Sequence, residues 1–515
     1  MANQDTLNEY PLIIRVKDQS GGLNVKTFQS EITDNEAKEL QNFEVSDPGL
    51  VKKREGRTQF GSLMASTNMM AGVDYRSDDD IARFLLWYTD EQVHSMDSSG
   101  TTALRATFAS TTTDAELVQA FNYVYASNGT DSVVRFDTAL GTTTLTSASV
   151  SHPPKFTTGA YALNRLIVND TDNPTYVHFS DTLSQQFDTN SNTFKFAEGA
   201  GDSRVVKLKQ FRKFELIVFM NNRIEELVMD GTTPISDWSR EVIDTRHGCG
   251  AKNTVQEVAG TIYFLDQDNR VRALNNTALD ARQGTQALPV SDKIEEQLDL
   301  INNLYVDLSC AGVYRDWYLL CVPLNSATVP DTLFAYDVKR RSWSGPWNID
   351  SRAFVESDIR GDGNELYYGD ANESKVFRMF DATFNDDSGA IDSVLVTKKY
   401  DFNKPESDKT FNEFEVAVLG TGDGDLKVEA RVDFGDYVEL PDSPLDITGT
   451  NPTLSVSLPF TLSSEGVIYG KFQLEDLGRG RNIDFRLTHD ETSKDCQILQ
   501  WVVTVLDENY ESENP

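Results

Sequence analysis

Cysteine is scarce. The 515 residues hold four, Cys249, Cys310, Cys321 and Cys496, and none lies in a CxxC spacing. A disulfide framework is excluded as the basis of a chain this long, and apolar flanks such as Tyr318-Leu319-Leu320-Cys321 predict free, buried thiols made in a reducing compartment. Histidine is nearly as rare. His94, His152, His178, His247 and His489 form no HxH or HExxH pattern, so no metal site is expected. Long apolar runs are missing, which excludes a membrane-spanning helix of ~18 residues. Residues Met1 to Tyr10 lack the basic-then-apolar order of a signal peptide, so the expectation is a soluble chain made in the cytoplasm. No G-x-S-x-G elbow and no P-loop occurs. We assign no catalytic, cofactor-binding or metal-binding residue, and expect no enzyme activity.

Basic residues are outnumbered. Lys plus Arg total 47 against 81 Asp plus Glu, a formal net charge of −34. Such a field repels nucleic acid phosphates and anionic membranes, which disfavours a protein that grips DNA. It suits a soluble surface, or a lumen through which DNA slides without sticking. Three basic clusters interrupt the acidity: Lys52-Lys53-Arg54, the stretch Lys207 to Lys213, and Lys339-Arg340-Arg341. Each could pair with acidic neighbours or with DNA; the aromatics in the second, Phe211 and Phe214, suit a strand face better than base stacking. The run Gly420-Thr421-Gly422-Asp423-Gly424-Asp425 lacks EF-hand spacing and reads as a hairpin turn rather than a cation site. It also lacks the following helix of a dinucleotide fold. With 81 acidic residues, a glycosidase carboxylate pair could be present without any sequence signature.

What the chain does contain is a degenerate repeat. Short apolar strands, polar turns and second strands recur, beginning with Phe84–Tyr88 and Val93–Met96. Six more hairpins begin at Tyr123, Leu166, Leu216, Ile262, Tyr318 and Leu366, so the mean period is about 47 residues. Hairpins repeating at this spacing predict a β-propeller of six to eight blades, because a blade buries its apolar faces only against its neighbours. The segment Tyr336 to Trp343 reads as a strand end, a turn and a structural tryptophan. Helices are expected over 33–42, from the capping-box spacing of Thr33 and Glu36, and over 291–305, where Ile294, Leu298, Ile301 and Tyr305 share a face. Paired strands over 411–434, a loop holding Pro441, Pro444, Pro452 and Pro459, and strands at 467–475, 482–488 and 498–506 predict a C-terminal antiparallel β-sandwich. The expected domains are an N-terminal arm with a short helix joining the propeller (1–60), the propeller (61–392), the sandwich (393–510) and an acidic tail (511–515).

Three stretches carry a resemblance. They run from Gly21-Gly22-Leu23-Asn24 to Gly49-Leu50-Val51-Lys52-Lys53-Arg54-Glu55-Gly56, from His247-Gly248 through Val258 to Leu265 and on to Ile294, and from Gly478-Arg479-Gly480-Arg481 to Leu487. In these, and in element order over most of its length, the chain resembles the tail hub or nozzle proteins of short-tailed phages, the packaged-DNA stabilisation family. The resemblance implies a structural virion protein located in the tail, its N-terminal stretch tying the chain's start to the first blade. It further implies a ring of six copies below the portal-adaptor, needle or fibre proteins beneath, retention of packaged DNA, and passage of double-stranded DNA without specific binding. No catalytic residue comes with the family. A tail-associated glycan-binding propeller or glycosidase is the alternative expectation.

Overall fold

A computed structural model describes all residues except 1–10, 48, 65–67, 112–113, 147–151, 188–191, 198–200, 202, 231–233, 276–286, 420–423, 449–465 and 508–515. The Gly420–Asp423 part of the expected hairpin turn, Pro452 and Pro459, and the acidic tail therefore lie outside the described residues. The chain forms two compact units.

The larger unit, residues 58–339 and 348–379, is a β-propeller. Among the described residues its blades are seven antiparallel sheets, within the expected range. Their first strands are Met69–Arg76, Glu116–Ala120, Gly159–Ala162, Val205–Gln210, Gln256–Val258, Cys310–Tyr314 and Ser351–Ser357, here blades 1 to 7. All seven hairpins read from the sequence are present as the second and third strands of these blades, the first as Arg83–Thr89 paired with Gln92–Met96. Asx turns shape several of their tips. Asp266 Oδ1 accepts the backbone N–H groups of Asp268 and Arg270 at 2.8 Å, and Asp370 Oδ1 those of Asn372 and Glu373.

Apolar layers between neighbouring blades hold the ring. The layer that closes it packs Leu85, Trp87 and Met96 of blade 1 against Val355, Tyr367 and Val376 of blade 7. Full burial of each such side chain is worth about 1.5–3 kcal/mol. Gly72 makes room for this contact, since a Cβ there would lie 2.6 Å from Val355 Cγ2 and 2.7 Å from the Trp87 ring. Cys249, Cys310 and Cys321 are buried in this unit and Cys496 in the other, all unpaired by disulfides. Burial pushes the Cys249 thiol up to about 12. A thiol reagent is expected to leave all four unmodified in the native protein and to titrate all four after unfolding. Rapid labelling of any of them in the native state would contradict this packing.

The smaller unit, residues 1–57, 340–347 and 380–515, is a β-sandwich. One sheet centres on Gln497–Asp507, which pairs with Pro11–Val16, Leu50–Lys53 and Lys409–Leu419. The facing sheet includes Glu36–Gln41, Ser393–Thr397, Ile483–His489 and Asp425–Val432. Between them Phe414 stacks on Phe485 at 3.9 Å, and Trp501 Nε1 donates to Tyr400 Oη at 2.7 Å.

Three expectations are corrected. Residues 33–42 are not a helix but contribute the strand Glu36–Gln41. The Thr33 N–H does donate to Glu36 Oε2 at 2.9 Å, as in a capping box, but the bond closes a turn. Only Ala37 and Leu40 are apolar there, too few for a helical stripe, and both are buried in register with Ser393–Thr397. The second helix shrinks to a 3-10 turn, Asp292–Ile294, and one α-turn, Glu295–Leu298. Ile294, Leu298 and Ile301 are buried as expected, but Ile301 bridges Leu324 and the chain leaves the helix. Finally, only the end of the N-terminal stretch reaches the propeller, where the Phe60 N–H donates to the Val376 carbonyl of blade 7 at 2.8 Å; most of the rest belongs to the sandwich. Pro11–Val16 and Leu50–Lys53 pair with successive parts of the last strand of the sandwich, so the sandwich is built from both ends of the described chain.

Candidate functional site

The seven first strands run the same way, and their starts converge at one end of the propeller around a cavity of about 760 Å³. Every blade contributes: Met70, Asp114, Thr157, Arg204, Lys252, Asp307 and Arg352 all line it. Its floor is Lys252, which also borders a second cavity of about 110 Å³ further along the axis.

Lys252 sits on the loop before the first strand of blade 5. Its ammonium donates to the carbonyl oxygens of Ala115 (blade 2) and Thr157 (blade 3), both at 2.7 Å. It also pairs with Asp114 and with Glu116 Oε2, the latter at 3.4 Å. Burial alone would discharge it, but the two carboxylates outweigh burial and hold its pKa above the ordinary lysine value. Lys207 of blade 4 binds the other Glu116 oxygen at 2.7 Å. One buried carboxylate and two ammonium groups thus tie blades 2, 4 and 5 together across the axis.

The funnel above this floor offers charges of both signs. Arg352 is buried, and burial lowers the pKa of its guanidinium. Burial also opposes ionisation of Asp170, but hydrogen bonds from His178, Asn173 and the Asp172 N–H overcome it and bring the carboxyl to about 2. Asp170 is therefore a fixed anion with no proton to give near neutrality, unsuited to the general-acid half of a glycosidase pair. No aromatic side chain is among the described residues lining the funnel, so a sugar ring finds no stacking platform on them. The arrangement can hold a polar, charged segment by hydrogen bonds and ion pairs.

The basic clusters are largely absorbed into the fold. Lys52 pairs with Glu55, Lys53 reaches His489, and Arg54 grips Asp386 with two bonds of 3.0 and 2.6 Å. Lys339 pairs with Asp316, and Arg340 with Asp47. In the middle cluster Lys207 serves the axis, Lys209 is partly buried, which lowers its pKa, and Arg212 pairs with Glu215 on a hairpin tip that exposes Lys213. Among the described residues no group of three His, Cys, Asp or Glu is placed to hold a metal ion. The axial residues Lys252, Glu116 and Arg352 escaped sequence analysis. Nothing in their local stretches shows that seven blades bring them together.

Comparison with known proteins finds no matching family model and no matching curated protein. Among solved structures, the chain is similar to PorZ, an essential bacterial surface component of the type-IX secretion system of Porphyromonas gingivalis. The identity is 12%, the TM-score 0.36, and the match covers 61% of this chain and 37% of that one. It is also similar to the extracellular domain of the putative hybrid two-component system BT4673 from B. thetaiotaomicron, at 9% identity and TM-score 0.42, covering 64% of this chain and 40% of that one. The chain thus spans well under half the length of either.

Proposed function

We propose that this chain is a non-enzymatic structural subunit of the tail of a short-tailed phage. Its copies form the hub or nozzle ring that extends the portal-adaptor channel, retains packaged DNA and passes it during ejection. The blocked axis is the observation that carries this reading furthest. A strongly acidic propeller whose centre is bolted shut by Lys252 is a wall element and not a conduit. The lumen then lies between copies, and a closed ring of identical chains is the natural way to make one. A net charge of −34 keeps DNA from adhering to such a wall.

Of the three resembling stretches, the first covers sandwich strands, the second leads through blade 5 to the short helix, and the third ends in the strand Ile483–His489. Needle or fibre proteins would bind below the ring. The purified chain, mixed with portal-adaptor complexes and imaged by electron microscopy, is expected to add a ring of six-fold symmetry to their tail end. A stable monomer that never joins such particles would sink the proposal. If host surface polysaccharide released reducing ends on incubation with the chain, the glycosidase alternative would replace it.

A further inference from the structure

The end of the propeller opposite the funnel carries the turns that join first and second strands. The turn of blade 1 is acidic and apolar at its tip, with Asp78, Asp79 and Asp80 exposed and Ile81 84% exposed. It is continuous with blade 7, whose Asp358 pairs with Arg76 and Arg83 and whose Asp362 lies beside Arg360. On its other side the Asp78 N–H donates to Asn122 Oδ1 in the turn of blade 2.

The centre of this face is apolar. Phe121 of blade 2 meets the partly exposed Tyr161 of blade 3 edge-on at 5.2 Å. Leu183, 74% exposed, is held to the blade 3 turn by its N–H on the Asn164 carbonyl at 2.8 Å. Beyond it, the blade 4 turn exposes Lys213 and Phe214, with the Lys213 ammonium 5.0 Å from the Phe214 ring, while Arg212 beside them pairs with Glu215 at 3.2 Å. In a chain of net charge −34 this is a cationic tip. Along the face the order is therefore acid, apolar, base.

A surface with that order is complementary to itself. A two-fold axis through the apolar centre lays the acidic end of one copy on the basic end of the other, twice, and buries Leu183 and Tyr161 between them. We propose that this face pairs two copies of the chain across such an axis. A ring of one polarity has no two-fold between its members, so the pair is a form of the free subunit, and the inference does not depend on the proposed function.

Charge exchange tests it. The variants K213E and D78K/D362K alter exposed side chains, and thermal unfolding checks that each still folds. The wild type is expected to sediment as a pair that dissociates as salt rises. Each variant alone juxtaposes like charges, so its dissociation constant should rise by at least about tenfold. Mixing the two should restore pairing, because both contacts of the mixed pair again join opposite charges. A monomeric wild type, unchanged pairing in either variant, or no rescue on mixing overturns the proposal.

Discussion

Replacing Lys252 by Met is expected to destabilise the propeller by about 3–5 kcal/mol, the usual result of removing one partner from a buried ion pair. The loss has two parts. The carbonyls of Ala115 and Thr157 lose their 2.7 Å donor. The Glu116 carboxylate, itself buried, keeps only Lys207. Restoring balance should recover part of the loss, so K252M/E116Q is expected to be more stable than the sum of its single changes. Urea unfolding of the four proteins measures this directly. A K252M loss below about 1 kcal/mol, the range of exposed pairs, would show that the axis is not bolted as described. The pH dependence has a definite sign. The Lys252 pKa is raised in the folded chain, so its contribution is complete below the ordinary value of 10.5 and is lost only as pH rises through the folded value.

The blades were legible because their determinants are local. A strand such as Leu216 to Met220 is a short apolar run bounded by turn residues, and Asp266 can cap its own turn without help from elsewhere. The axis was not legible, because Lys252 finds its partners about 95 to 137 positions away, and two of them are backbone carbonyls that have no sequence identity to read. The same asymmetry explains the error at 33–42. Thr33 and Glu36 do make a local bond, but the antiparallel partner strand Ser393–Thr397 lies more than 350 positions downstream.

The basic clusters teach a related lesson about reading charge. Lys52, Lys53 and Arg54 look like one surface patch, yet strand alternation and the bend after Lys53 send them to three different partners. Arg54 is the extreme case. It is almost fully buried, with Asn42 Oδ1 on its Nε at 2.9 Å and both Asp386 oxygens on its terminal nitrogens. That planar, two-pronged geometry is what arginine supplies and lysine does not. A triplet of cations in the sequence is thus a structural clamp.

The sandwich is expected to weaken in acid through His489. Its ring is buried beside Lys53, whose ammonium donates to Nδ1 at 3.2 Å and to the Glu491 carbonyl at 2.8 Å. Burial first, and the Lys53 charge second, push the imidazole from its ordinary 6.5 down to about 3. Between those values the unfolded chain binds a proton that the folded chain refuses, so stability falls as pH drops from 6.5 toward 3. At about 1.4 kcal/mol per tenfold change the full loss is on the order of 5 kcal/mol, comparable to the whole stability of many domains. Lys53 acts with the same sign at the other end. Burial lowers it to about 8, so stability rises as pH climbs from there toward 10.5. Carboxylates throughout the chain also contribute in acid, so the informative quantity is a difference. H489Q keeps an acceptor for Lys53 and removes the titration. Its stability measured against the wild type should be constant above pH 6.5 and should gain steadily below it, reaching several kcal/mol near pH 4. A difference that stays flat across that range would mean that the imidazole takes up its proton in the folded sandwich as readily as in water.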